Sequence, residues 1–199
     1  MLNKFRDSLQ PIMAKLGMTF SSRGLSANFW TMLGLTLSIM SGAAYAAPAI
    51  PFIDVPWIYA SIIGGILLLI SGFFDVIDGI VARATKQTSK KGAFLDSSID
   101  KISEAIVFIG IAIGSLANPI LCMIGLSLSL IVSYLRARAE SLGVELKGIG
   151  IGERAERLLI IAIIGMIPVR GSMQWAIIVV SVVAALTLIQ RIIVTSKKV

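Results

Sequence analysis

Long apolar runs alternate with short polar ones along this chain. "VPWIYASIIGGILLLISGFF", Val55 to Phe74, is one such run and carries no charge. Several windows approach the ~20 apolar residues that cross a bilayer. The pattern predicts six helices. The first runs from about Asn28 to Ala46 and ends in the loop "APAIPFIDVP"; the second covers about Trp57 to Ala84. The third and fourth share one uncharged run, Ala105 to Leu135, which Asn118-Pro119 breaks. The fifth ends near Pro168, and the sixth covers about Met173 to Thr195. Ahead of them, Leu2, Phe5, Leu9, Ile12, Met13 and Leu16 recur at helical intervals, with Lys4, Asp7 and Lys15 on the other side. That spacing suits an amphipathic helix lying in the membrane interface over residues 1–22, kinked at Pro11. The expected fold class is an all-α integral membrane protein. Residues 1–199 form one domain, in which an interfacial helix precedes a six-helix bundle over residues 28–195.

Two lengths refine this map. Ala105 to Asn118 is too short to cross a ~30 Å hydrocarbon core at about 1.5 Å per residue. Helix 3 must therefore begin earlier, which draws Asp96 and Asp100 onto its first turns. Leu158 to Val169 is short in the same way, so "ERAER", Glu153 to Arg157, should start helix 5.

Composition agrees with a membrane protein. The chain is 56% hydrophobic and only 15% charged, whereas soluble domains carry about a quarter charged residues. Its single cysteine, Cys122, lies in an apolar run, where a buried inert thiol is expected. There is no histidine, which excludes histidine-ligated zinc and a serine–histidine relay. The first residues do not read as a signal peptide. Of the 18 Lys and Arg, all except Arg170 fall on one side of the six-helix map. The positive-inside rule makes that side cytoplasmic. The expectation is a multi-pass protein of the cell membrane, with both termini and the acidic groups inside.

Four acids crowd the second and third helices. Asp75 and Asp78 are three apart on one helix face, and Asp96 and Asp100 are four apart on another. The eight residues "ATKQTSKK" between Arg83 and Gly92 suit a helix–turn–helix connection, so the two faces can meet. Four carboxylates close together in a partly dry site repel one another. One or two divalent cations relieve that repulsion, and oxygen-only ligands favour Mg²⁺ or Mn²⁺. Gly79 and Ala82 leave room beside the acids, and Arg83 offers a planar donor fork for a phosphate. Acids near a membrane interior are costly and point to function.

The pattern Asp75-x-x-Asp78-Gly79-x-x-Ala82-Arg83, eight residues, Gly92-x-x-x-Asp96-x-x-x-Asp100 resembles the signature of the CDP-alcohol phosphotransferases in every defining position and spacing. Where many members have Ser-Pro-Asn before the first span, this chain has Ser26-Ala27-Asn28. The resemblance implies that an alcohol attacks the β-phosphorus of a CDP-activated lipid and releases CMP. It implies that Asp75, Asp78, Asp96 and Asp100 surround the metal centre, with Asp100 also the general base. It places Asn28, Asp78, Gly79, Ala82 and Arg83 against the CDP part, and it implies a homodimer. Gly110 and Gly114 offer a small-xxx-small face that serves either a dimer or packing within one chain.

The acceptor must be read elsewhere. Arg136, Arg138, Arg154, Arg157 and Arg191 sit at inner helix ends, and their number suggests an acceptor that carries phosphate. "SYLRARAESLGVELKGIGIGERAERLLI", Ser133 to Ile160, is similar to the corresponding stretch of phosphatidylinositol-phosphate synthases and their archaeal counterparts. That likeness implies inositol 1-phosphate as acceptor, bound by these arginines, though Arg157 could instead pair with Glu153 or Glu156. The lipid is CDP-diacylglycerol or CDP-archaeol. Glycerol 3-phosphate is the competing acceptor. A divalent-cation transporter is a third reading, and it fits less well because transporters place ion sites near the midplane. Nothing in the sequence suggests a nucleic-acid partner.

Overall fold

The computed structural model describes residues 27–84, 89–146 and 148–199. The interfacial helix expected over residues 1–22 lies outside them. The described residues form six α-helices in order: α1 (Ala27–Ala46), α2 (Trp57–Ala84), α3 (Lys90–Ile113), α4 (Pro119–Ser141), α5 (Arg154–Gly165) and α6 (Ser172–Ser196). A single 3-10 turn, Ala47–Ala49, follows α1. No strand occurs among the described residues.

Local chemistry fixes several boundaries. The Ser89 hydroxyl accepts from the Gly92 amide at 2.9 Å and caps α3. The helix therefore starts well before its apolar part, as the length argument requires. Asn118 accepts from the amides of Ile120 and Leu121, and Pro119 needs no partner for the amide proton that it lacks. At α5 the Glu153 amide donates to the Glu156 carboxylate at 2.9 Å, half of a capping box. The helix then stops at Gly165, short of the expected Pro168. Turns take over, and Gly171 in the left-handed region at φ 86° reverses the chain into α6. At 12 residues, α5 is only ~18 Å long at the usual rise. Helix 4 runs past the apolar boundary at Leu135 to Ser141, carrying its arginines as helical residues.

Among the described residues, four helices are long and apolar enough to cross a membrane: α1, α2, α4 and α6. Isoleucines and other large apolar side chains stand exposed on them, among them Ile39, Ile63, Met123 and Val182. Such a surface suits lipid rather than water. The chain is a membrane protein.

Helix α1 packs on α2 and α3, α2 on α5, and α3 on α4, while α6 packs on α4 and α5. Small residues bring α1 and α2 close. Ser41 donates to the Gly64 carbonyl at 2.7 Å, and Ser71 donates to the Gly34 carbonyl at 2.8 Å. These bonds bind helices where burial of apolar area discriminates little. Gly110 and Gly114 lie against α1, where an added Cβ would run into the Gly42 and Tyr45 carbonyls. Their small-residue face is therefore used within one chain. The main core joins Tyr45, Phe108, Ile111, Ile161 and Ile177, with Cys122 buried as a free thiol among them. A smaller cluster of Trp30, Ile77 and Val81, with Leu33 and Phe74 against it, clamps the start of α1 to the end of α2. The Trp30 and Phe74 rings stack at 5.5 Å.

Candidate active site

That clamp sets up the acidic end of α2. It seats Thr31 beside Asp78, and the Thr31 hydroxyl donates to Asp78 Oδ2 at 2.7 Å. Asp78 is buried, while Asp75, one turn earlier, is half-buried. Helix α3 comes in from the far side of the connection with Asp96 on its second turn. Ligand oxygens of Asp75, Asp78 and Asp96 lie within 4.8 Å of one another. Three carboxylates at that spacing form an oxygen-only cup that suits a hard divalent ion such as Mg²⁺ or Mn²⁺.

Asp100 stands one turn further along α3 and faces a cation. Arg154, the first residue of α5, reaches in with Nη1 at 2.6 Å from Asp100 Oδ1 and 3.0 Å from Asp75 Oδ2. One guanidinium thus bridges α2, α3 and α5. Its Nε–H is buried without a hydrogen-bond partner.

Beside the acids opens a cavity of about 350 Å³. Asp96, Asp100 and Lys101 of α3 form one wall, Arg136 and Glu140 of α4 another, and Arg154, Arg157 and Arg191 close it. A small phosphorylated molecule held there would touch the carboxylate cup on one side and cations on the others.

Four of the five expected arginines line this cavity, and their side chains differ in what they already hold. Arg136 donates to Glu140 at 2.9 Å on the open rim. Arg191 is buried, with Nε donating to the Ile149 carbonyl at 3.0 Å and Nη1 to the Val132 carbonyl at 2.8 Å. Arg157 is buried as well. Its Nε and Nη2 both donate to Glu104 Oε1, at 2.9 and 2.7 Å, and its Nη1 donates to the Gly152 carbonyl at 2.7 Å. Its ionic partner is therefore Glu104, neither Glu153 nor Glu156. Arg138 is exposed, sits beside Ser141, and is not among the cavity-lining residues.

On the other side of the cup, Gly79 keeps the space in front of Arg83 open. An added Cβ there would stand 3.5 Å from Arg83 Nη1. Arg83 and Asn28 are both exposed, and Ala82 is half-buried between α2's acids and its end.

Three participants were missed by sequence reasoning. Thr31 gives no signal, because its partner is 47 residues away. Lys101 follows Asp100 directly and carries no spacing signal of its own, yet it lines the cavity. Glu104 could have been found: it is an acid inside the membrane-like part of α3, one turn past Asp100, and such acids need a partner.

Comparison with known proteins agrees with this architecture. Residues 25–189 match the family described as CDP-alcohol phosphatidyltransferase. The archaetidylinositol phosphate synthase of Pyrococcus horikoshii is 33% identical over 198 residues, spanning 100% of this chain and 98% of its own. That of Methanothermobacter thermautotrophicus is 38% identical, spanning 97% and 93%. The phosphatidylinositol phosphate synthase of Streptomyces avermitilis is 32% identical, spanning 97% and 82%. Among solved structures, the Mycobacterium tuberculosis phosphatidylinositol phosphate synthase PgsA1 with CDP-DAG bound superposes with a TM-score of 0.76 at 25% identity, covering 93% of this chain and 94% of its own. The same enzyme in complex with manganese and citrate gives 0.75 at 25%, covering 92% and 88%. By full-length likeness, motif and architecture together, the chain belongs to the CDP-alcohol phosphatidyltransferase family of membrane enzymes.

Proposed function

We propose that this enzyme transfers the phosphatidyl-type group of a CDP-lipid to 1D-myo-inositol 1-phosphate, releasing CMP. The observation that carries the acceptor is the basic cavity. It opens directly onto Asp96 and Asp100, and four arginines and Lys101 line it. A phosphate on the acceptor gives those cations something to hold; an unphosphorylated alcohol would not. The names of the full-length relatives support inositol phosphate over glycerol 3-phosphate, and those of the archaeal ones favour CDP-archaeol as the lipid.

In this reading Asp75, Asp78 and Asp96 hold Mg²⁺ or Mn²⁺, with Asp100 joining at a second ion; the manganese complex of PgsA1 supports such use. Bound metal supplies Lewis-acid polarisation of the diphosphate. The chain's own residues do the rest. Thr31 orients Asp78. Arg83, with Gly79 and Ala82 leaving space, donates to the phosphates of the CDP part, and Asn28 lies one turn before Thr31 on the nucleotide side. Arg154 and Arg136 take the acceptor's phosphate, while Arg157 and Arg191 hold the wall behind them. Asp100 accepts the proton of the attacking hydroxyl as the new P–O bond forms and the bond to CMP breaks. Holding both substrates in line, with charges already placed, accounts for most of the acceleration.

We read six crossings of the membrane, the fifth made by the ~18 Å α5 together with the turns that follow it, with the charged turns of α3 and α5 at the inner boundary. The positive-inside bias puts the site on the cytoplasmic face, and the family resemblance suggests a homodimer.

An acceptor panel tests the proposal. Purified protein with Mg²⁺ and CDP-archaeol or CDP-diacylglycerol should release CMP with inositol 1-phosphate. Glycerol 3-phosphate, free inositol and serine should support little. Faster release with glycerol 3-phosphate would refute the acceptor and keep the reaction class. Metal flux into liposomes without nucleotide would favour a transporter instead.

A further inference from the structure

Two functions assigned above converge on one side chain. Arg154 lines the acceptor cavity, and the same guanidinium bridges Asp75 and Asp100. We propose that Arg154 is a shared cation: it neutralises the Asp75–Asp100 edge until a phosphate in the cavity draws it away, and so couples acceptor binding to occupation of that edge by a second divalent ion. This rests on the reading that Asp75, Asp78 and Asp96 hold the first ion.

The geometry divides the four aspartates. Asp75, Asp78 and Asp96 converge on one point, whereas Arg154 pairs with Asp75 and Asp100. Of the three cup acids Arg154 pairs with Asp75, so Asp78 and Asp96 are open to a first ion with Arg154 in place. The remaining edge, between Asp75 Oδ2 and Asp100 Oδ1, is the one on which Nη1 sits at 3.0 and 2.6 Å. A divalent ion bonded to the same two oxygens would meet the guanidinium at bonding distance. Two cations cannot share that place, so one excludes the other.

Arg154 also has somewhere to go. Its Nε–H is buried without an acceptor, and its side chain is 15% exposed where it borders the cavity. The neighbouring arginines are more firmly held. Arg157 is fixed by Glu104 and the Gly152 carbonyl, and Arg191 by two main-chain carbonyls. A phosphate in the cavity offers Arg154 acceptor oxygens, including one for its Nε–H. Moving toward them uncovers Asp100 beside the acceptor's hydroxyl. The proton acceptor and the second ion's edge are then bared only when the correct substrate is present. Linkage makes the effect reciprocal: phosphate tightens the second ion by the factor by which that ion tightens phosphate.

Mn²⁺ binding in detergent, followed by electron paramagnetic resonance and calorimetry, tests this without turnover. Wild type should bind one ion per chain firmly and a second weakly. Adding inositol 1-phosphate should tighten the second by about tenfold or more, within the ~5–150-fold range of such couplings. Arg154→Gln should bind the second ion tightly with no inositol phosphate, and the added compound should no longer change it. Equal second-site affinity in wild type and Arg154→Gln, or coupling that persists in the variant, overturns the proposal. Asp78→Asn separates the two layers, since it should lose the first ion. If it keeps that ion, or if wild type binds none, the carboxylate cup itself is misassigned and both readings fall. If the first ion behaves and the second ignores Arg154, only the shared cation falls.

Discussion

The ion pair between Glu104 and Arg157 offers a stringent test of how the cavity is held. Both side chains are out of reach of solvent, at 0% and 1% exposure. Two N–H groups converge on Glu104 Oε1, and Nη1 secures the Gly152 carbonyl two residues before Arg154. Glu104→Ala leaves a buried guanidinium without its counter-charge. Breaking a buried pair from one side costs about 3–5 kcal/mol. Arg157→Ala strands the carboxylate at a similar cost and also removes the bond to Gly152, worth about 1.5–3 kcal/mol for a charged donor. The double variant Glu104→Ala, Arg157→Ala strands neither charge, so its loss should be well below the sum of the two single losses. Unfolding in mixed micelles with denaturant, run as a double-mutant cycle, reads the coupling directly. A coupling above ~2 kcal/mol is expected. Additivity within ~0.5 kcal/mol would show that the pair does not interact as the geometry says.

Other substitutions address the site itself. Thr31→Val removes the hydroxyl on Asp78 while keeping the side chain's shape. It should lower Mn²⁺ affinity or turnover about 10–100-fold, as loss of a ligand's supporting bond does; unchanged Mn²⁺ titration and CMP release would deny Thr31 a role. Asp100→Asn should cut CMP release at least about 10²-fold, the usual weight of a general base, while CDP binding by calorimetry persists; full activity would remove Asp100 as base. Gly114→Ala should part α1 from α3 and cost about 1–3 kcal/mol, as overpacking does. Its size-exclusion mass should not change, because the face is internal, and dissociation of an oligomer would contradict that placement.

The acidic half of the site was legible because it is local. Helical spacing puts Asp75 and Asp78 on one face and Asp96 and Asp100 on another, and a short connection leaves the two faces little choice but to meet. Span length did further work. The shortage of apolar residues after Ala105 predicted that α3 begins among charges, and Ser89 caps it there. The same reasoning failed at the far end of α5. Leu158 to Val169 is apolar throughout, but apolarity does not say where a helix ends. Pro168 and the left-handed Gly171 turn the chain earlier.

The basic half was legible only as a census of charges, and the structure shows why a census misleads. An arginine at a helix end has five N–H donors, and its use depends on which of them are already held. Arg157 and Arg191 look like Arg154 in sequence. Yet each is buried, and a buried guanidinium must satisfy its donors within the protein. Arg157 does so with an acid 53 residues away, and Arg191 with carbonyls 42 and 59 residues away. Those distances in sequence are invisible to spacing rules. Their effect is to turn two of the arginines into braces for the loop that ends at Glu153, and so to aim Arg154 at the aspartates. In the proposed mechanism, substrate recognition and metal binding then meet on Arg154, the cavity arginine whose Nε–H is buried without a partner. Phosphate selectivity in this enzyme is therefore expected to follow Arg154 more closely than the total number of cations around the cavity.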